Sequence, residues 1–280
     1  MAKKIVFEQF DDLTAFSRAI SRPANRVFAG HTQSSVENND GEWAGTRTYE
    51  EAVHLFNEGW SEKADEIRKN FVKFERAQVR EVQYQKSRPT TAVVGFTPHV
   101  PNAIMGLPNS MIYTERTPMK AKVVRIIYNM CMNAGTSASD IMNAGLTVMK
   151  IAYSLERKGF RVRIDVNPMF TQDGSEIACA LVCVKDWRQP IDIKKVAFPV
   201  AHTSMFRRLG FRWLETTPDL TNNGFRSGYG RSVGDANRAE DILRSCKAIE
   251  DNDYYVNVET AQKWSYDPAM VAKAIGIKNL

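Results

Sequence analysis

The chain has 280 residues, of which 43% are hydrophobic, 25% charged and 10% aromatic. That is an ordinary globular composition, and it excludes general disorder, a collagen-like repeat and a disulfide scaffold. Thirty-eight basic residues against 32 acidic ones leave +6, a mild excess that allows a polyanionic partner without requiring one.

The opening MAKKIVFEQFDDL places Glu8, Asp11 and Asp12 where a secretory signal would need an apolar run. A cytoplasmic protein is expected. Residues 1–87 read as a helical N-terminal region. Thr48 and Glu51 fit a capping box, and Tyr49, Ala52, Val53, Phe56 and Trp60 then share one helical face, with Gly59 as the stop. A second helix is predicted from Ser61 to about Gln83, with Ala64, Ile67, Phe71 and Phe74 at spacings of three and four.

Residues 88–120 form a Pro/Gly-rich ordered loop or linker. The 26 residues between Arg88 and Glu115 carry no Lys, Arg, Asp or Glu, yet Pro89, Pro98, Pro101 and Pro108 exclude a membrane span. Val93, Val94, Phe96, Val100, Ile104, Met105 and Leu107 make it too apolar for a solvated linker, so it is expected to pack.

Residues 121–280 read as an α/β core domain with a C-terminal helical extension. Val123–Tyr128 is strand-like and rich in β-branched residues. A small-residue loop, 129–138, precedes a helix from Ser139-Asp140 to Lys158, closed by Gly159. Phe160, Val162, Ile164 and Val166 alternate with polar residues as a half-exposed strand, and Ile177–Val184 is apolar throughout, as a central strand would be. Helical patterns follow from about Ile191; then come a helix from Ala236 to Ile249, a strand Tyr254–Val258 and a last helix near Asp267-Pro268. Cys131, Cys179, Cys183 and Cys246 form no Cys-x-x-Cys pair and read as free thiols in a reducing compartment.

The order of elements from residue 120 resembles a von Willebrand factor A-type domain. The resemblance implies a Rossmann-like (von Willebrand A-like) three-layer sandwich. That family carries Asp-x-Ser-x-Ser after its first strand, where this chain has Asn129-Met130-Cys131-Met132-Asn133. A neutral amide replaces the carboxylate and both hydroxyls are gone, so no metal is expected, and Asp186 alone does not make a site. The chain also resembles a family of uncharacterised proteins of bacteriophages and mobile elements. The resemblance rests on residues 43–60, 96–111 and 123–145, on LERKGFRVRI, and on the run from KDWRQP to FRWLE. It implies a phage setting and supplies no catalytic residue.

Charge is unevenly placed. Between Trp187 and Ser232 eight basic residues face three acidic ones, which is +5 of the chain's +6. FRRLGFRW (206–213) and NGFRSGYGRSVG (223–234) interleave arginine, aromatic residues and glycine. Arginine neutralises phosphate, and aromatic rings offer a sequence-tolerant stacking surface. Arg207, Arg208, Arg212, Arg226 and Arg231 are the expected phosphate contacts, and Phe225 and Tyr229 the stacking rings. Arg161 and Arg163 share a strand face that could extend the surface.

His31, His54, His99 and His202 have no metal-ligand spacing, and His202-Thr203-Ser204 has only sequence proximity to Cys183 and Asp186. No hydrolase or metalloprotease motif is present. The first expectation is therefore a phage-encoded, non-enzymatic accessory protein in replication or transcription, without a cofactor, that binds nucleic acid, single-stranded DNA above all. The alternative is a protein-interaction adapter or virion component, partnered by a phage or host protein, using loop 129–138 and the apolar stretch 93–107. Exposed Phe96, Ile104, Met105 and Leu107 would favour the adapter; a basic groove holding Phe225 and Tyr229 would favour the nucleic acid.

Overall fold

The computed structural model describes residues 4–77, 89–114, 122–131, 135–172, 174–229, 231–233 and 235–277. The chain divides into two compact units, Met1–Val79 with Val123–Leu280, and Arg80–Lys122. In chain order the described strands are β1 (Lys4–Phe10), β2 (Pro89–Ala92), β3 (Thr97–Pro98), β4 (Met111–Thr114), β5 (Val123–Asn129), β6 (Arg161–Val166), β7 (Met169–Gln172), β8 (Glu176–Lys185), β9 (Arg231–Ser232) and β10 (Asp253–Asn257).

The larger unit is a mixed α/β fold around one sheet, ordered β10-β5-β6-β8-β7-β9 with β1 on β8. β10, β5 and β6 run parallel, and β8 is antiparallel to β6 and to β7. All ten residues of β8 are buried, which explains its unbroken apolar run and bears out its central placement. Asn167 and Pro168 separate β6 from β7, which take successive parts of the same side of β8: Val166 opposes Val182 and Met169 opposes Cys179. β1 pairs with the other side, in parallel register from Lys4 opposite Glu176 to Phe10 opposite Val182. Among the described strands β8 is its one neighbour, so β1 is an edge strand.

Alternation along β5 feeds two cores. Ile126 and Tyr128 join the larger cluster, and Ile127 joins the smaller one on the opposite face. The helices Leu13–Ile20, Tyr49–Glu58, Ser61–Ala77, Ala138–Arg157 and Ile193–Ala201 contribute to the larger core, and Ala236–Ser245 covers the smaller. Each fully buried Phe or Ile contributes roughly 1.5–3 kcal/mol. Phe16, Phe56 and Phe71 are buried in the larger core.

These contacts correct the expected separate helical region at 1–87. Its first element is a strand of the central sheet, and its helices belong to the same core as residues 123–280. The capping box holds in part. Thr48 caps Glu51 N at 3.1 Å, while Glu51 reaches back to Arg47 N at 2.8 Å rather than to Thr48. The helix from Ser61 is described to Ala77, and its expected continuation through Gln83 lies outside the described residues. The helix after β5 starts one residue earlier than expected, at Ala138 behind the N-cap Ser137. A π-helical turn, Met205–Gly210, runs into the helix Phe211–Thr216, and the helix Val258–Lys263 follows β10.

Gly145 sits at a close crossing of two helices in the larger unit. A Cβ there would stand 2.3 Å from the Val200 carbonyl and 2.6 Å from Ala201 Cα. Only glycine lets Ala138–Arg157 approach Ile193–Ala201 this closely.

The smaller unit has its own antiparallel sheet, β2-β4-β3, in which Thr91 and Thr97 both oppose Ile112. Gly95 turns between β2 and β3, where a Cβ would lie 2.2 Å from the Ile112 carbonyl. His99 caps the short helix Val100–Ile104, accepting from Asn102 N. The described part of this stretch is a small sheet with a short helix rather than the expected loop, and it does not bury its apolar side chains as expected. Its large apolar side chains point outward: exposure is 70% at Phe96, 81% at Ile104 and 63% at Met105. Val93, Val94, Val100, Leu107 and Tyr113 are exposed as well.

Candidate interaction surface

The seven residues expected to form a nucleic-acid surface divide sharply. Arg207 and Arg208 lie on the π-helical turn with their guanidiniums inside the fold, 3% and 0% exposed. Arg207 donates to the Trp43 carbonyl at 2.6 Å and the Thr136 carbonyl at 2.8 Å, and stacks over the Trp43 ring. Arg208 donates to Thr46 Oγ1 and to the carbonyls of Ser35, Asn38, Thr46 and Arg47, all at 2.8–3.0 Å. All three of its nitrogens are engaged, with three of the carbonyls gathered on Nη2. Arg212 pairs with Glu215 at 3.4 Å, donates to the Ile20 carbonyl and is bonded to Gln33.

Phe225 is fully buried. Tyr229 stacks on Phe211 and Phe28 with ring centroids 4.5 and 5.4 Å apart. Its hydroxyl donates to Glu215 Oε1 at 2.6 Å and accepts from Ser34 N. Burial, then the Glu215 carboxylate, raises its pKa far above the ordinary phenol range. Glu215 is itself wholly buried and takes Ser35 through both backbone and hydroxyl.

This corrects the expectation for Arg207, Arg208, Arg212, Phe225 and Tyr229. Arg207, Arg208, Arg212 and Tyr229 bond residues 33–47 to the π-turn and the helix after it, and Phe225 is buried, so a polyanion would have to displace those contacts to meet them. Arg226 and Arg231 are exposed; Arg226 meets His31 Nε2 at 2.7 Å. The loop glycines Gly230 and Gly234 lie outside the described residues. Arg163 is engaged as well: with Arg125 it holds the buried Asp165, at 2.9 and 2.5 Å.

The metal-motif position is also structural. Asn129 is buried, donates to Tyr255 Oη at 2.9 Å and the Val233 carbonyl at 3.3 Å, and accepts from Cys131 N. Met132 and Asn133 lie outside the described residues. Among those described, no three His, Cys, Asp or Glu side chains gather as a cation would need. Ser204 is fully buried and donates to the Ala44 carbonyl at 2.7 Å, while His202 Nδ1 accepts from Ser204 N. Here the histidine serves the backbone and does not activate the hydroxyl.

The profile of a family described as a domain of unknown function (DUF7192) matches residues 1–257. The chain belongs to that family. No curated protein and no solved structure matches it. The DUF7192 match spans both compact units, so the exposed apolar sheet is part of the family's domain. Among the described residues no helix is long and apolar enough to cross a membrane. Of the eleven exposed large apolar side chains among them, eight fall within residues 93–113, and concentrated apolar exposure marks contact sites. The signal was legible in sequence as an uncharged, Pro-interrupted apolar run.

Proposed function

We propose that this protein is a protein-interaction adapter whose contact surface is the apolar face of residues 93–113. The observation that carries the reading is the outward placement of Phe96, Ile104, Met105 and Leu107 on a unit whose described residues 89–114 hold no Lys, Arg, Asp or Glu. Such a surface gains from contact with another apolar surface and offers no Lys or Arg to phosphate. The eight exposed side chains present on the order of 1,000 Å² together, comparable with one partner's share of a standard interface. A phage setting and a von Willebrand A-like core belong to the same proposal; the parallel β10-β5-β6 set with the long helix between β5 and β6 supports the latter. Burial of Phe225 and Tyr229 weighs against the nucleic-acid alternative.

The test compares the wild-type chain with a Phe96→Ser/Ile104→Ser/Met105→Ser variant. Each serves as bait for proteins of infected cells, at low and at high salt. The expected outcome is a partner retained by wild type at both salt concentrations and lost by the variant. In parallel, labelled single-stranded DNA is titrated against the wild type by anisotropy. Tight, salt-sensitive DNA binding that persists in the variant, with no variant-sensitive protein, would reverse the order of the two readings.

A further inference from the structure

A second surface follows from the edge position of β1. Lys4 N donates to the Ser175 carbonyl at 3.0 Å, which fixes the parity of the strand. In a parallel ladder alternate residues bond to one neighbour, so Lys4, Val6, Glu8 and Phe10 turn their backbone groups to β8. Ile5, Phe7 and Gln9 turn theirs away, and no described residue takes them up. Sheet edges of this kind are normally blocked, because free N–H and C=O groups template another strand.

Here the edge opens into a trough. A cleft of about 730 Å³ runs along Lys4–Glu8, walled by Arg26 and by Thr217, Pro218, Asp219 and Thr221. A second, of about 440 Å³, continues along Glu8–Phe10 beside Arg18 and Arg22. Both lie within the larger unit. The wall is anchored: the buried Glu176 accepts from Thr221 N at 3.1 Å and Asn222 N at 2.6 Å, and pairs with Lys4 at 2.9 Å. Glu8 is occupied by Arg22 and by Trp213 Nε1, both at 2.6 Å. Outside these pairs Arg18 and Arg26 remain as exposed cations, against the single carboxylate of Asp219.

The two faces of the edge differ. Glu8 and Lys4 face the side where the arginines and the 217–221 wall stand. Ile5 and Phe7 face the other side, half-buried against the smaller core. A strand added here would place alternate side chains among the arginines and the others in line with Ile5 and Phe7.

We propose that the outer edge of β1 accepts an extended segment of a partner protein that alternates carboxylate with apolar side chains, as an added strand. Main-chain bonds to Ile5, Phe7 and Gln9 give the affinity, and Arg18 and Arg26 give the preference for acid. The proposal is independent of the apolar unit, and its failure would leave the reading above untouched.

The probe is a fluorescent eight-residue peptide alternating glutamate with valine, titrated against the full chain. Three controls accompany it: the same peptide with alternate amides N-methylated, a lysine–valine counterpart, and an Arg18→Glu/Arg26→Glu variant. Binding of the first peptide, weakened at least about tenfold in each control, is expected. Amide exchange at Ile5, Phe7 and Gln9 should slow on saturation with the probe, while Lys4, Val6 and Glu8 change little. Equal binding of the N-methylated peptide, or unchanged exchange at the three outward amides, would show charge adhesion without strand addition and overturn the proposal. Absence of binding at low salt would overturn it outright.

Discussion

Arg208 is a cation in the interior whose hydrogen-bond partners are one hydroxyl and four backbone carbonyls from the segment 35–47, with the Glu50 and Glu51 carboxylates acting on it only through their charge. Removing the guanidinium leaves several buried acceptors unpaired, each at a cost of roughly 1–3 kcal/mol. Arg208→Met should therefore lower stability by about 3 kcal/mol or more in urea denaturation, and Arg208→Lys should not restore it, because one ammonium cannot span the fork. His202 offers a second residue-level prediction. Wedged between Trp60 and Phe198, it is held neutral by burial, its pKa pushed down to about 4 from 6.5. Between those values the unfolded chain binds a proton that the folded chain refuses. Stability is thus full above about pH 6.5 and declines as pH falls toward 4, by at most about 3 kcal/mol. His202→Gln should flatten that part of the acid limb of a stability–pH curve; an unchanged slope would place the titration elsewhere. The arginines show why charge counting misled the sequence reading of the site. Composition records that Arg207, Arg208 and Arg212 are basic, but a guanidinium can serve the backbone as readily as phosphate, and which it serves depends on carbonyls at positions 35–47 that no local pattern connects to residue 208.

Among the elements, those with a period or an unbroken apolar or β-branched run were legible: β5, β6, β8 and the long helix Ala138–Arg157 fall within a residue or two of their expected limits. β1 was not, because KIVFEQF carries Glu8 and Gln9 at an edge, where one-sided pairing relaxes the alternation. The π-turn at Met205–Gly210 was equally hidden, since its extra residue per turn breaks the 3.6-residue pattern of FRRLGFRW. Gly145 carries the prediction at this scale. Gly145→Ala should force apart Ala138–Arg157 and Ile193–Ala201 and cost about 1–3 kcal/mol, read as a lowered urea midpoint. Gly135→Ala, with nothing within 4 Å of its Cβ, is the control that should leave the midpoint in place.

For the molecule as a whole, the two units call for opposite responses to mutation. Phe96→Ser/Ile104→Ser/Met105→Ser removes exposed surface only, so the urea midpoint should stay within the small range of ordinary surface changes, about 0.5 kcal/mol. A large loss of stability would mean that those side chains are covered in the isolated chain. The sequence exposed the smaller unit by its missing charge, yet its β2-β4-β3 sheet was unreadable from strands of two to four residues.

β1 also sets a schedule. Phe7 pairs with Cys179, so β1 has no partner in the sheet until residues 176–182 are made. At ordinary elongation rates that wait is on the order of ten seconds or more. Through it the apolar face of Ile5 and Phe7 needs shelter, and closing so long a loop slows the final step of folding. The earliest-made piece of the sheet is thus among the last to be placed.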